Sequence, residues 1–83
     1  MVLIIFTRIG LQASQAEIDD AVSVIWHNPH LLTEREQQHY QARGIQCLEL
    51  PKTIDVDNTK ATLWALEYVE KHSQNQEIMI ECS

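Results

Sequence analysis

Polar side chains end or follow three apolar runs of this sequence, and they are the residues best suited to chemistry. One group ends the run at 2–7, a second follows the run at 21–26, and a third follows the run at 45–50. Ligands of open α/β sheets bind outside the carboxyl ends of the strands. The sequence therefore predicts one ligand site formed by Thr7, Arg8, Gly10, His27, Asn28, His30, Thr33 and Lys52.

The types of these residues favour a phosphate ligand. If the first two strands are neighbours, Arg8, His27 and Asn28 converge with the backbone amides that follow Thr33. A guanidinium and a helix N-terminus both bind phosphate oxygens well. Arg8 and His27 are the candidate catalytic residues, and the other six are candidate ligand-binding residues.

Each of these residues also has a simpler explanation. Arg8 can end a strand in solvent, and histidines in a loop are more often solvated than functional. Asn28-Pro29 is a turn signal, and Thr33 is explained by helix capping. The three groups nevertheless point to the same end of the sheet, which favours a shared site.

Two further motifs carry little chemistry. His27-x-x-His30 has metal-ligand spacing, but no third ligand is near in sequence. The string 55–59 has the D-x-D-x-T pattern of phosphate-transferring aspartate enzymes, yet it does not follow a buried strand directly. A loop that ends in a helix cap is the preferred interpretation of 55–59. We expect no metal and no cofactor.

Hydrophobic periodicity and capping signals predict the elements that position these residues. Residues 14–17 and 33–36 match the capping-box pattern, and Gly44 is a typical residue to follow a helix. Strands are predicted at 2–7, 21–26, 45–50 and 77–82, and helices at 14–19, 33–43 and 58–73. A single helix over 14–27 is the alternative. Strands that alternate with helices indicate a small Rossmann-like α/β domain over 1–83, with a mainly parallel four-stranded sheet flanked by helices.

Composition limits the partners. The chain has 83 residues, 45% of them hydrophobic, and a formal net charge of −6. This acidity argues against general DNA or RNA binding, which needs a basic face. No signal peptide or membrane span is recognisable, and Cys47 and Cys82 lack a C-x-x-C spacing, so a cytoplasmic protein with packed, reduced thiols is expected. A core this small favours a homodimer.

The central stretch resembles the small CRISPR-associated ring nucleases, which are Rossmann-like proteins. The similar features are the strand residues 24–26 followed by a turn that contains His27, Leu32-Thr33 opening a helix, and a strand ending in Leu50-Pro51. The segment 6–10 is similar to a first strand that ends in Thr-Arg with a glycine nearby, although Ile9-Gly10 stands where His-Pro is expected.

This resemblance implies a homodimer that binds cyclic oligoadenylate and cleaves it without metal. Arg8 would bind phosphate, and His27 would act as acid or base. A second function class remains open, because the acidic charge and the strand near the C-terminus resemble the general design of barstar-like inhibitors. Such a protein would be a non-enzymatic inhibitor or immunity protein that docks on a basic partner.

Overall fold

The chain forms four strands and four helices within residues 1–73 and 76–81, which a computed structural model describes. The strands are β1 Val2–Ile5, β2 Val24–His27, β3 Gln46–Glu49 and β4 Ile78–Glu81. The helices are α1 Arg8–Ala13, α2 Gln15–Asp20, α3 Glu34–Ala42 and α4 Thr59–His72.

The strands form one parallel sheet in the order β3-β2-β1-β4. The chain steps outward from β1 to β2 and β3 through α1, α2 and α3, and α4 then returns it across the sheet to β4. A connection in the opposite direction keeps its right-handed sense only if its helix lies on the opposite face. The predicted small Rossmann-like α/β fold is confirmed.

The two faces of the sheet bury separate apolar clusters. On the α1–α3 face, Leu3, Ile5 and Ile25 pack with side chains of those three helices. On the α4 face, Val2, Ile4 and Trp26 pack with Ala65 and Val69 of α4 and with the segment that follows β3. Strand β1 is buried on both faces because α1–α3 cover one face and α4 covers the other, which explains its unbroken apolar sequence.

The segment after β1 differs from the prediction. The first strand ends at Ile5 rather than at residue 7, and residues 8–13, for which the sequence predicts no helix or strand, form helix α1. A helix of six residues is too short for a clear 3.6-residue pattern, and Gly10 lowers its helix propensity. Tertiary packing stabilises α1, because Leu11 is buried in the α1–α3 cluster.

The ambiguous stretch 14–27 divides into a helix and a strand, as predicted, and the single-helix alternative is wrong. The boundaries differ: Asp19 and Asp20 end α2 rather than forming a turn, and β2 covers Val24–His27 rather than 21–26. Ser14 precedes α2 but makes no side-chain capping hydrogen bond, so the first predicted capping box is absent. Pairing of Val2 with Val24 sets this register.

The remaining elements follow their signals closely. The capping box of Thr33 and Glu36 is present, and Asn58 caps α4 through its side chain. Cys47 is half-buried against the α1–α3 cluster. Burial raises the pKa of its thiol. Cys82 lies outside the described residues.

Gly44 provides a test of how α3 ends. Its φ is 83°, a left-handed conformation, and a Cβ built there would meet no atom within 4 Å. Gly44→Ala should therefore lower the free energy of unfolding through backbone strain alone, by about 1 kcal/mol, and Gly44→Asn by less. Urea unfolding of both variants measures this order, and equal stability of Gly44→Ala and the wild type would contradict it.

Candidate functional site

The N-terminus of α1 lies at the carboxyl edge of the sheet, between β1 and β4. The Thr7 side-chain oxygen accepts a hydrogen bond from the Gly10 amide at 2.9 Å and so caps this helix. A Cβ at position 10 would lie 3.0 Å from Glu81 Cγ and 3.2 Å from Thr7 Oγ1. Thr7 and Gly10 therefore allow α1 to begin close to the end of β4, and this placement directs Arg8 toward α3.

Arg8 meets the first turn of α3, as the sequence predicts, but a carboxylate of the chain itself lies between them. Arg8 donates a hydrogen bond to Glu36 Oε1 at 2.7 Å and another to the Leu31 carbonyl at 3.2 Å. The same Glu36 oxygen accepts from the Thr33 amide at 2.9 Å. Glu36 therefore has the position that an anionic ligand of Arg8 and this helix N-terminus would take.

These contacts shift the titration of both partners. The hydrogen bond from Arg8 and that from the Thr33 amide lower the pKa of Glu36 from 4.5 to about 2. The bond to Glu36 raises the pKa of Arg8. Glu36 is therefore an anion at neutral pH, which stabilises the positive N-terminus of α3.

A groove of about 300 Å³ adjoins the ion pair and is lined by Arg35, Glu36, His39 and Tyr40 of α3. Arg35 and His39 are exposed, whereas Tyr40 is buried and its hydroxyl accepts a hydrogen bond from Gln15 at 3.2 Å. Arg35 and His39 were not among the site residues predicted from the sequence. Their four-residue spacing places them on the same side of a helix, but the neighbourhood of Arg8 is decided by tertiary packing.

A larger concavity of about 450 Å³ lies at the opposite end of the sheet. Leu66, Glu70, Ser73, Gln76 and Ile78 line it. None of these side chains is basic, and Glu70 is acidic. This concavity does not suit an anionic ligand, so the smaller groove is the better candidate site.

His27 ends β2 and is buried, with 1% of its surface exposed. Its Nδ1–H donates to the Asn28 carbonyl at 2.9 Å, whereas Nε2 is buried and has no hydrogen-bonding partner among the described residues. A ligand cannot reach this imidazole in the present conformation. His27 ends β2 and Arg8 follows the adjacent strand β1, as predicted. The two side chains do not share an open surface, because His27 is buried.

Asn28 has a structural role at the same edge. Its side-chain amide donates to the Phe6 carbonyl at 2.9 Å and to the Ile54 carbonyl at 2.8 Å. Its Oδ1 accepts from the Ile54 amide at 2.8 Å. These bonds connect the segments that follow β1, β2 and β3. Because the side-chain amide of Asn28 makes these bonds within the fold, its role is structural.

Of the other two predicted site residues, Lys52 lies away from Arg8, whereas His30 directly precedes Leu31, whose carbonyl Arg8 binds. Lys52 packs on the other side of the sheet, where its Nζ is 4.2 Å from the centre of the Trp64 ring. His30 is exposed in the loop after β2 and adopts a positive φ of 65°. The structure therefore brings Arg8 to the N-terminus of α3, with His30 next to it in the chain, and places Lys52 elsewhere.

Comparison with known proteins gives no help in assigning this site. No family model, curated protein or solved structure matches the chain. Within residues 1–73 and 76–81, no group of three or more His, Cys, Asp or Glu side chains is arranged to hold a metal ion. In the same part of the chain, no helix has the length and apolar character needed to cross a membrane.

Asn28→Asp tests the structural role of the amide. The carboxylate keeps the size of the side chain but cannot donate to the carbonyls of Phe6 and Ile54, and it places a charge among them. We expect the free energy of unfolding at pH 7 to fall by about 3 kcal/mol or more. The deficit should shrink at low pH, where a protonated acid can donate once. Thermal unfolding at pH 7 and pH 4 measures both effects, and a deficit below about 1 kcal/mol would contradict this role.

The Glu36 ion pair predicts a defined pH dependence. A carboxyl whose pKa is lower in the folded state contributes stability above its unfolded pKa, and this contribution is lost as the pH falls through the folded value. Glu36 is 29% exposed and Arg8 50% exposed, so solvent screening limits the contribution to about 1 kcal/mol.

The matched variant is Glu36→Gln, because glutamine also completes a capping box. Above pH 4.5 the wild type should be the more stable protein, and the difference should disappear as the pH falls toward 2. Urea unfolding between pH 2 and 7 provides the measurement. A difference that does not change with pH would show that the charge of Glu36 contributes nothing.

Proposed function

We propose that this protein binds a small phosphate-bearing ligand in the groove beside α1 and α3, with Arg8 as the residue that holds the phosphate. The observation that supports this is the position of the Glu36 carboxylate, which accepts hydrogen bonds from both Arg8 and the Thr33 amide. An incoming phosphate takes the place of this carboxylate.

A phosphate can use the same donors because its oxygens accept hydrogen bonds as carboxylate oxygens do. Guanidinium groups and helix N-termini bind both kinds of anion, and charge-assisted bonds of this type are short and strong. The 2.7 Å distance between Arg8 and Glu36 shows that the guanidinium already holds an anion at this place. Glu36 thus acts as an internal substitute for the ligand.

The charges in the groove and on the rest of the protein favour a small ligand. Arg35 and His39 line it, and Arg8 binds Glu36 at its border. The protein as a whole carries a net charge of −6, so its long-range field repels polyanions. A short phosphate compound gains the local contacts without the repulsion that a duplex nucleic acid would meet. A cavity of this volume also suits a small molecule.

Displacement of Glu36 sets the limit on affinity. The ligand must replace a partly exposed ion pair, and pairs of this kind contribute about 1 kcal/mol or less. After displacement, Glu36 must turn away because its charge would repel the phosphate. The free protein is therefore stable without ligand, and exchange at Arg8 costs little free energy.

The finer form of the proposal is a cyclic oligoadenylate ligand, cleaved without metal by attack of a ribose 2′-hydroxyl on the adjacent phosphate. In that reaction Arg8 stabilises the charge that develops on the phosphate oxygens. A homodimer would present two such grooves to one cyclic ligand. The resemblance of the sequence to ring nucleases supports this form.

Docking on a basic protein is the second candidate function. The chain has twelve acidic and six basic residues, and many of the carboxylates are exposed. Those on α4 and its flanking segments include Asp55, Asp57, Glu67, Glu70 and Glu77. This candidate comes second because it uses charge alone, whereas the groove combines charge, shape and directed donors.

Calorimetric titration with inorganic pyrophosphate, cyclic tetra-adenylate and cyclic hexa-adenylate in EDTA tests the proposal. Arg8→Ala should weaken binding by on the order of 10- to 100-fold, the effect of one charge-assisted hydrogen bond. Glu36→Gln should tighten binding, because the competing charge is gone. Linear products from either cyclic compound would support the finer form.

Arg43→Ala is the matched control, because Arg43 forms a second arginine–carboxylate pair among the described residues, at 2.8 Å from Asp19, and does not line the groove. It should leave the affinity unchanged. If neither the wild type nor Glu36→Gln binds any of the three compounds, the phosphate proposal is wrong and basic-partner docking takes its place.

A further inference from the structure

His27 is an unusual residue to bury at the end of β2. Its side chain is on the same side of the sheet as Ile25, because side chains alternate along a strand, and the surrounding cluster is apolar. Donation from Nδ1–H to the Asn28 carbonyl fixes the tautomer, so the lone pair of the neutral ring is on Nε2. That atom is buried and has no partner among the described residues. An apolar side chain would avoid the loss of hydrogen bonding that this atom suffers.

The segment 28–33 connects His27 to α3 and packs on the same face of the sheet. Leu31 and Leu32 of this segment belong to the α1–α3 cluster, as does Ile5, which pairs with His27 across β1 and β2. His30 has a positive φ within the segment. We call this segment the cover, because it lies on the side of the sheet where His27 is buried. Its backbone adopts a left-handed conformation at His30.

Arg8 holds this cover in place through hydrogen bonds. The same guanidinium nitrogen donates to the Leu31 carbonyl, within the segment, and to Glu36, which in turn accepts from the Thr33 amide at the end of the segment. A ligand that binds Arg8 weakens both of its hydrogen bonds, to the Leu31 carbonyl and to Glu36, at once. Binding at Arg8 and release of the cover are therefore coupled through one side chain.

We infer that the ligand site has a concealed second part beneath segment 28–33, where His27 Nε2 binds the phosphate-bearing ligand after Arg8 has released the cover. This inference rests on the proposed function, because it requires an anion that replaces Glu36 at Arg8. In the free protein, Nε2 has no hydrogen-bonding partner among the described residues. In the bound protein, the lone pair of Nε2 accepts a hydrogen bond from a hydroxyl of the ligand, which for pyrophosphate is the P–OH group of its protonated form.

Diethylpyrocarbonate modification tests the cover without any ligand. The protein has four histidines, of which His30, His39 and His72 are exposed and His27 is buried. In the wild type at pH 7, three should react quickly and His27 slowly, as followed by peptide mass spectrometry. Arg8→Ala should speed the modification of His27 by on the order of tenfold, since one charge-assisted contact less favours the open state.

Arg43→Ala controls for general loss of stability, and Arg8→Lys controls for loss of charge. Lysine keeps the charge but lacks the planar fork of donors, so it should open the cover partly. The inference is overturned if His27 stays protected in Arg8→Ala, or if Arg8→Ala and Arg43→Ala expose it equally.

Two ligand experiments test the second half of the inference. Saturating inorganic pyrophosphate should speed the modification of His27 in the wild type if the anion releases the cover before it contacts His27. If the anion contacts His27 directly, the imidazole Nε2 resonance should shift when the ligand is added. His27→Phe should fold but bind pyrophosphate about threefold to tenfold more weakly, the effect of one lost hydrogen bond.

The outcomes separate this inference from the proposed function. Pyrophosphate binding that depends on Arg8 but is the same in His27→Phe, with no change in the His27 resonance, overturns the concealed site and leaves the phosphate function standing. Absence of binding to the wild type and to Glu36→Gln removes both.

Discussion

The side-chain amide of Asn28 is the interaction on which the arrangement of this protein depends. The backbone groups that follow parallel strands need hydrogen-bonding partners at one edge of the sheet. Here the buried Asn28 side chain donates to the carbonyls of Phe6 and Ile54 and accepts from the Ile54 amide. This fixes where the chain leaves β1 and β2. Helix α1 begins directly after this edge, and its first residue, Arg8, binds Glu36 in the first turn of α3 and the Leu31 carbonyl. The groove adjoins this ion pair.

Glu36 combines two roles that are usually separate. It completes the capping box of α3 and neutralises Arg8, so it stabilises the fold at the place where we propose a ligand binds. A carboxylate in such a position lets an anion site exist without leaving a cation unpaired. The same arrangement makes the site easy to miss, because the guanidinium and the helix N-terminus both look satisfied. Its function depends on how readily one anion replaces another.

The predicted features that were confirmed rest on local signals, but a local signal was not always sufficient, since the capping box predicted at 14–17 is absent. The capping box at Thr33, the glycine at 44 and the Asn58 cap could be recognised from a few neighbouring residues. Helix α1 could not, because Leu11 finds its partners on other elements. The bounds predicted for β2 were also wrong by up to three residues, since its pairing with β1 decides which residues form the strand.

The sequence by itself determined the class of fold and the end of the sheet where polar groups collect, because both follow from hydrophobic periodicity and strand order along the chain. It also predicted that Arg8 lies near the N-terminus of α3, which follows Thr33. Tertiary structure alone decided what lies between and beside them: Glu36 on Arg8, Lys52 on Trp64, and His27 enclosed rather than exposed. A side chain's partners depend on the direction in which it leaves the backbone and on what packs over it. Neither quantity is encoded in the spacing of residues along the chain.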